Sequence, residues 1–296
     1  MTHKQKTTKT TNTMKVEQIY TGCLAQGAYY IESNGEAAII DPLREVQPYI
    51  DRAEKNGATI KYVLETHFHA DFVSGHLDLA KKTGAAIVYG PNAQPDFDFY
   101  SAKDGEELKL GNVTIKVLHT PGHTMESTCY LLLDEDGREK ALFSGDTLFI
   151  GDVGRPDLLA SIGFTREELA DKLYDSLHDK LMTLPDATRV YPAHGAGSAC
   201  GKNLSTDLWS TMGEQRKTNA VRHCRDHAVD HPARGYPRLS TPSIDSRGGG
   251  EIGDGIEGRQ TKPEQHAPQI VLALIVTRPG QHLHQIGRAS CRERVS

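Results

Sequence analysis

The sequence predicts an α+β layered sandwich, and three observations carry that expectation. Short strand-like runs outnumber helical ones, and the two kinds interleave along residues 15–191. The histidines and aspartates with metal-binding potential each fall just past such a run, on loops at one edge, where a rigid scaffold normally presents chemistry. With 37% hydrophobic and 25% charged residues, most of the 296-residue chain should fold, as one large core or two modest domains.

Residues 15–20, 24–32 and 36–41 read as strands, with Gly35 in Ser33-Asn34-Gly35-Glu36 supplying a hairpin turn. Val46 to Lys55 carries apolar or aromatic residues at 46, 49, 50 and 53, a helical spacing. Ile60 to Leu64 is a strand that runs into Thr66-His67-Phe68-His69-Ala70-Asp71-Phe72. Ser74 to Lys82 reads as a helix, with Ser74 as cap and Gly84 as stop. Strands follow at 85–89, 113–118, 128–133 and 140–144. A helix at 166–179 opens on the capping-box pattern Thr165-Arg166-Glu167-Glu168. A short strand, Arg189-Val190-Tyr191, precedes Pro192-Ala193-His194-Gly195.

Composition bounds partners and setting. A net charge of −5 gives no general argument for nucleic acid or an anionic membrane as partner. The run Val271-Leu272-Ala273-Leu274-Ile275-Val276 falls far short of the roughly 18 residues that span a bilayer. Five scattered cysteines without a CxxC pair do not form a disulfide framework and fit a cytoplasmic setting. Cys23 and Cys129 fall in strand patterns and are expected in the core; His76 and His119 are read as structural.

The chain changes character near residue 219. Lysine outnumbers arginine 16 to 7 before that point and is outnumbered 1 to 10 after it, while all seven Phe and all five Met lie before it. Residues 1–13 are expected to be a disordered lead-in, 14–219 a catalytic domain truncated at its C-terminal end, and 220–296 a non-native, frameshifted or adaptor-like tail.

Four segments carry the chemistry: His67-Phe68-His69-Ala70-Asp71, His119-Thr120-Pro121-Gly122-His123, Ser144-Gly145-Asp146-Thr147 and Tyr191-Pro192-Ala193-His194-Gly195. A lone HxH more often marks two histidines on alternate sides of a strand end. Four such segments in this order, each at a strand end, point to a metal centre.

Together they resemble the metallo-β-lactamase fold superfamily over about residues 14–219, which implies a four-layer αββα sandwich with its metals at one rim. Thr66-His67-Phe68-His69-Ala70-Asp71-Phe72-Val73-Ser74-Gly75 and Gly151-Asp152-Val153-Gly154-Arg155-Pro156-Asp157 are most similar to the persulfide dioxygenase (sulfur dioxygenase) branch, in particular the bacterial group often fused to rhodanese domains. Hydrolytic members such as hydroxyacylglutathione hydrolase read HxHxDH in the first motif, where the last histidine helps hold a second metal. Here that position is Phe72, which has no lone pair to offer. The resemblance then implies one Fe(II) per chain on His67, His123 and Asp146, with zinc as the competing occupant.

Around that ion, His69, Asp71 and His194 are expected to hydrogen-bond ligating imidazoles or bound water, or else to remain as polar packing. Arg155 matches a family arginine near the thiol substrate; the plainer alternative is a surface pair with Asp152 or Asp157. Cys200, in a Gly-rich loop beside Lys202, is a candidate sulfane-sulfur acceptor with a partly ionised thiol, or an inert cysteine. Lys202 is a candidate for binding substrate carboxylates, a solvated lysine being the default.

The implied reaction is oxidation of a low-molecular-weight persulfide, such as glutathione persulfide, by O2 to sulfite and thiol. Its partners are these small molecules and a rhodanese domain or protein, with room for a homo-oligomer. Two alternatives are a zinc thioester hydrolase of the glyoxalase II type and a non-enzymatic sulfur-carrier or partner-docking module.

Overall fold

Alternation along the central strands sends successive side chains into two different cores. In Gln26–Ser33 (β2), Tyr29 and Ile31 enter one buried cluster while Ala28 and Tyr30 enter another. In Glu36–Ile40 (β3), Ala38 and Ile40 follow the first pair, Ala37 and Ile39 the second. A strand apolar on both faces must be covered on both, which sets the layering.

The computed structural model describes residues 14–157, 163–201 and 204–219. Every described residue belongs to one unit, within Met1–Pro237. The expected lead-in over 1–13, the tail over 220–296, and Lys202 lie outside the described residues.

Six strands form the first sheet in chain order: Lys15–Thr21 (β1), β2, β3, Thr59–Leu64 (β4), Ala86–Tyr89 (β5) and Tyr100–Ser101 (β6). The first three pair antiparallel, with Lys15 opposite Glu32 and Thr21 opposite Gln26. From β3 to β6 the pairing is parallel. Parallel neighbours need crossovers, which Gln47–Asn56 (α1) supplies between β3 and β4 and His76–Thr83 (α2) between β4 and β5. Tyr49 and Ala53 of α1 and Leu79 of α2 pack on the outward face of this sheet.

The second sheet runs in reverse order. Ser210–Thr211 (β12) pairs with Arg189–Pro192 (β11), followed by Glu139–Gly145 (β10), Thr128–Leu133 (β9), Val113–His119 (β8) and Glu107–Leu110 (β7). Its inward face contributes Ile115, Val117, Tyr130, Leu132 and Phe143 to the shared core. Its outward face packs Cys129, Leu131 and Leu142 against Leu173 of Arg166–Asp175 (α3), Leu177 and Leu181 of a following π-helical stretch, and Met212 of Met212–Thr218 (α4). The order helix, sheet, sheet, helix is the expected αββα sandwich. Among the described residues no helix is long and apolar enough to cross a membrane.

Several local expectations shift. The capping box at α3 forms as read, with Thr165 and Glu168 bonding each other's backbone, but the α-helix stops at Asp175 and continues to Leu181 in π geometry. Ser74 stands one residue before the cap position of α2, yet its hydroxyl still accepts the His76 N–H at 3.2 Å. Cys23 is exposed in the turn between β1 and β2, not a core residue of a strand. Cys129 is buried and free, as expected of a core cysteine.

Candidate metal centre

Four strand ends deliver the site. β4 runs on into Thr66 and His67, β8 leads to His123, β10 ends one residue before Asp146, and β11 ends two residues before His194. At the end of β10 the backbone of Gly145 takes a φ of 53°, and a Cβ there would stand 2.7 Å from that of Thr66. Only glycine lets β10 turn this closely against the loop carrying His67.

The donor set converges on one atom. Oδ2 of Asp146 is buried and accepts no hydrogen bond. It lies 3.8 Å from Nε2 of His67 and 3.5 Å from Nε2 of His123. One ligand atom from each of the three residues falls within 4.8 Å of the others, and each residue is at most 3% exposed. A buried, unpartnered carboxylate oxygen is costly unless something fills the gap, and two imidazole nitrogens and a carboxylate are a common donor set for a first-row metal. The residues present fit the ion.

Neighbours fix both imidazoles in the ligating tautomer. Nδ1 of His123 stands 3.1 Å from the carbonyl oxygen of Arg155, which can only accept, so the proton sits on Nδ1 and Nε2 is free. For His67 the partner is the Thr66 hydroxyl, 3.0 Å from Nδ1. That hydroxyl donates its own proton to Oδ2 of Asp41 at 2.8 Å, leaving it to accept from His67. Oδ1 of Asp41 also takes the Thr66 backbone N–H at 2.8 Å. Burial, then the nearby His69, lowers the pKa of His67 well below its ordinary value, which keeps the ring neutral.

Oδ1 of Asp146 bonds Nδ1 of His194 at 2.7 Å, and Nε2 of His194 bonds Oδ2 of Asp71 at 2.8 Å. Burial opposes a charge on His194, but the Asp146 carboxylate and the bonds from Asp146 and Asp71 outweigh it and hold the ring well above its usual range. Burial likewise opposes charge on Asp146, and His194, then His67 and His123, keep its carboxyl well below the usual range. His194 therefore supports an aspartate ligand, where an imidazole or water was the expected partner.

The other residues singled out in the sequence fall close by. Cys200 joins Asp71 and His194 in a second group of metal-capable side chains. Burial pushes its thiol up despite the bond from His194, so the expected partly ionised thiol is not found. Arg155 places its guanidinium on Asp157, with Nε to Oδ1 at 3.1 Å and a terminal nitrogen to Oδ2 at 2.7 Å. That is the surface-pair alternative, and its carbonyl on His123 is the contribution sequence reading missed. His69 is drawn off, its Nε2 3.1 Å from Oδ1 of Asp41 and 3.7 Å from Oε2 of Glu65. Burial, then the Asp41 charge, pushes the Glu65 carboxyl up to about 8.

Asp41, Thr66 and Glu65 were not singled out from the sequence. Asp41 follows β3 directly, at the kind of strand end that yielded the other site residues. It holds a φ of 48°, rare for a non-glycine residue and a frequent mark of a functional position.

The metallo-beta-lactamase superfamily model matches residues 21–194, which contain His67, His123 and Asp146. Among curated relatives, a cytoplasmic hydroxyacylglutathione hydrolase of Arabidopsis thaliana is 36% identical over 177 residues, 58% of this chain and 65% of its own length. A crystal structure of a metallo-beta-lactamase from Staphylococcus aureus subsp. aureus COL aligns with a TM-score of 0.65 at 39% identity, covering 71% of this chain and 63% of that one. The crystal structure of ETHE1 from Myxococcus xanthus aligns with a TM-score of 0.59 at 30% identity, covering 70% and 84%. The chain thus spans just under two thirds of the length of the plant relative and of the staphylococcal chain.

Proposed function

The chain belongs to the metallo-beta-lactamase superfamily, and from that premise we propose that it is a persulfide dioxygenase with one ferrous iron on His67, His123 and Asp146. A metal-binding enzyme is the coarser assignment, given by the family and the donor set together. The observation that carries the finer reading is the unpartnered Oδ2 of Asp146 facing two Nε2 atoms, while His69, the other histidine of the HxH pair, is turned onto Asp41 and Glu65. Three protein donors would leave positions on an ion for small reactants.

When bound, ferrous iron supplies the electronic route that a persulfide and triplet oxygen lack between them. The rest is positioning. Thr66 and the Arg155 carbonyl hold both imidazoles in the tautomer that leaves Nε2 unprotonated, and Asp146 adds negative charge beside them, steadied by His194. Holding two reactants at one place removes much of the orientational entropy of their encounter. One persulfide, one O2 and one water balance as one thiol, one sulfite and two protons.

A second reading is favoured by the name of the plant relative: zinc-dependent hydrolysis of a glutathione thioester. Phe72 counts against its two-metal form, because its ring lies on His69, centroids 4.3 Å apart, and offers no donor. A non-enzymatic sulfur-carrier or docking module is the third. Metal analysis of the whole chain, with oxygen uptake on glutathione persulfide and cleavage of a glutathione thioester, separates them. About one iron per chain with sulfite formed supports the dioxygenase. Paired zincs with thioester cleavage overturn it, and turnover of neither substrate leaves the docking module. A cytoplasmic setting, in keeping with the plant relative's name, and a rhodanese partner complete the proposal.

A further inference from the structure

His69 stands next to the candidate ligands yet outside their group. Its ring centroid is only 4.2 Å from that of His67, so a side-chain rotation, with no change of fold, separates it from the point where the three donors meet. Phe72 covers it at 4.3 Å. Its side chain is 1% exposed, and neither ring nitrogen makes a well-aligned hydrogen bond. What holds Nε2 is a pair of carboxyl groups, Asp41 at 3.1 Å and Glu65 at 3.7 Å.

The two carboxyl groups have different duties. Both oxygens of Asp41 are engaged by Thr66, and through it Asp41 also serves His67. Glu65 is anchored through Oε1 by the Ser74 hydroxyl at 2.7 Å. Its Oε2 is buried without any hydrogen bond and is directed at His69. Oε1 also stands 3.6 Å from Nδ1 of His76, so Oε2 is the oxygen of Glu65 that is turned to the site, through His69.

We propose that Glu65 is a positioning residue that keeps His69 off the metal. This rests on the single-metal reading above. A fourth protein donor would close the ion into the tetrahedral shell typical of structural zinc and leave no position for a substrate. Glu65 thus decides whether a loop with two adjacent histidines builds an open site or a closed one.

Cobalt(II) is the probe, because its visible absorption is weak in open five- or six-coordinate sites and strong in tetrahedral ones. Whole wild-type chain, stripped and reloaded, takes one cobalt with a weak band. Glu65→Met, which leaves Ser74 its second acceptor on the Pro42 carbonyl, strengthens that band severalfold and tightens zinc retention by about 10–100-fold, the range over which outer partners tune a metal. Adding His69→Ala returns both to the wild-type values, which a merely structural effect of Glu65 would not do. His69→Ala alone leaves the wild-type spectrum as it was.

A folded Glu65→Met protein with an unchanged spectrum overturns the proposal. So does a change that survives His69→Ala, or a wild-type spectrum altered by His69→Ala alone. Glu65→Ala is read by the same criteria where Glu65→Met does not fold. Two cobalts per wild-type chain defeat the single-metal reading instead, while reversal by His69→Ala still reports on Glu65.

Discussion

The Arg155 carbonyl oxygen accepts the Nδ1 proton of His123 across 3.1 Å, so a backbone atom on the loop after β10 sets the tautomer of a histidine on the loop after β8. That contact depends on Gly154, where an added Cβ would stand 1.9 Å from the Asp146 carbonyl oxygen and 3.1 Å from the His123 Cβ. Gly154→Ala should cost about 1–3 kcal/mol in overpacking and lower metal content as well. Thermal denaturation and metal analysis of the same sample check both.

Asp146→Ala should abolish metal retention, because it removes both the converging Oδ2 and the partner of His194 Nδ1. Metal analysis after gel filtration reads this directly. A variant with full metal content would remove Asp146 from the ligand set.

Phe72→His should raise affinity for a second metal, since it returns a donor to the position that holds a histidine in the two-metal pattern, near Asp71 and His194. The ratio of metal to protein in the variant should move from one toward two. An unchanged ratio would mean that another feature excludes the second ion.

His76 sits against Phe97 and Tyr89, and burial, then the nearby His69, lowers its pKa from 6.5 to about 4. Between those values the unfolded chain binds the proton and the folded chain does not. Stability is therefore fully present above about pH 6.5 and falls as pH drops toward 4, by at most about 1.4 kcal/mol per pH unit from this group. His76→Phe should flatten that limb. Urea denaturation midpoints measured across the window would show it as a smaller loss on acidification.

Much of the sandwich was legible because its strands are short apolar runs and its helices carry stops. The short pieces were not. Glu107–Leu110 alternates exposed and buried residues as a strand should, but four residues make a weak signal. Ser210–Thr211 is two residues, and α4 covers only seven. The switch to π geometry after Asp175 changes a hydrogen-bond register, which leaves no mark in the apolar pattern.

The site divides the same way. A metal site was legible because four motifs each follow a strand, and His67, His123 and Asp146 were picked out from them by the resemblance to the superfamily. The place of His69 was not, because it depends on Asp41, far away in sequence, as well as on Glu65 nearby. The carbonyl of Arg155 was equally hidden. Any residue type would supply the same atom, so side-chain reasoning assigned Arg155 to substrate and missed what its backbone does.

His67 comes from the first sheet, whereas His123 and Asp146 come from the second. An ion gripped by all three would rivet the two halves of the sandwich at their rim. A ligand that binds only the folded chain adds about 4 kcal/mol when present at a thousand times its dissociation constant. Heat resistance would then serve as a gauge of metal loading, and a chelator would loosen the seam between the sheets before it touched either sheet's own ladder.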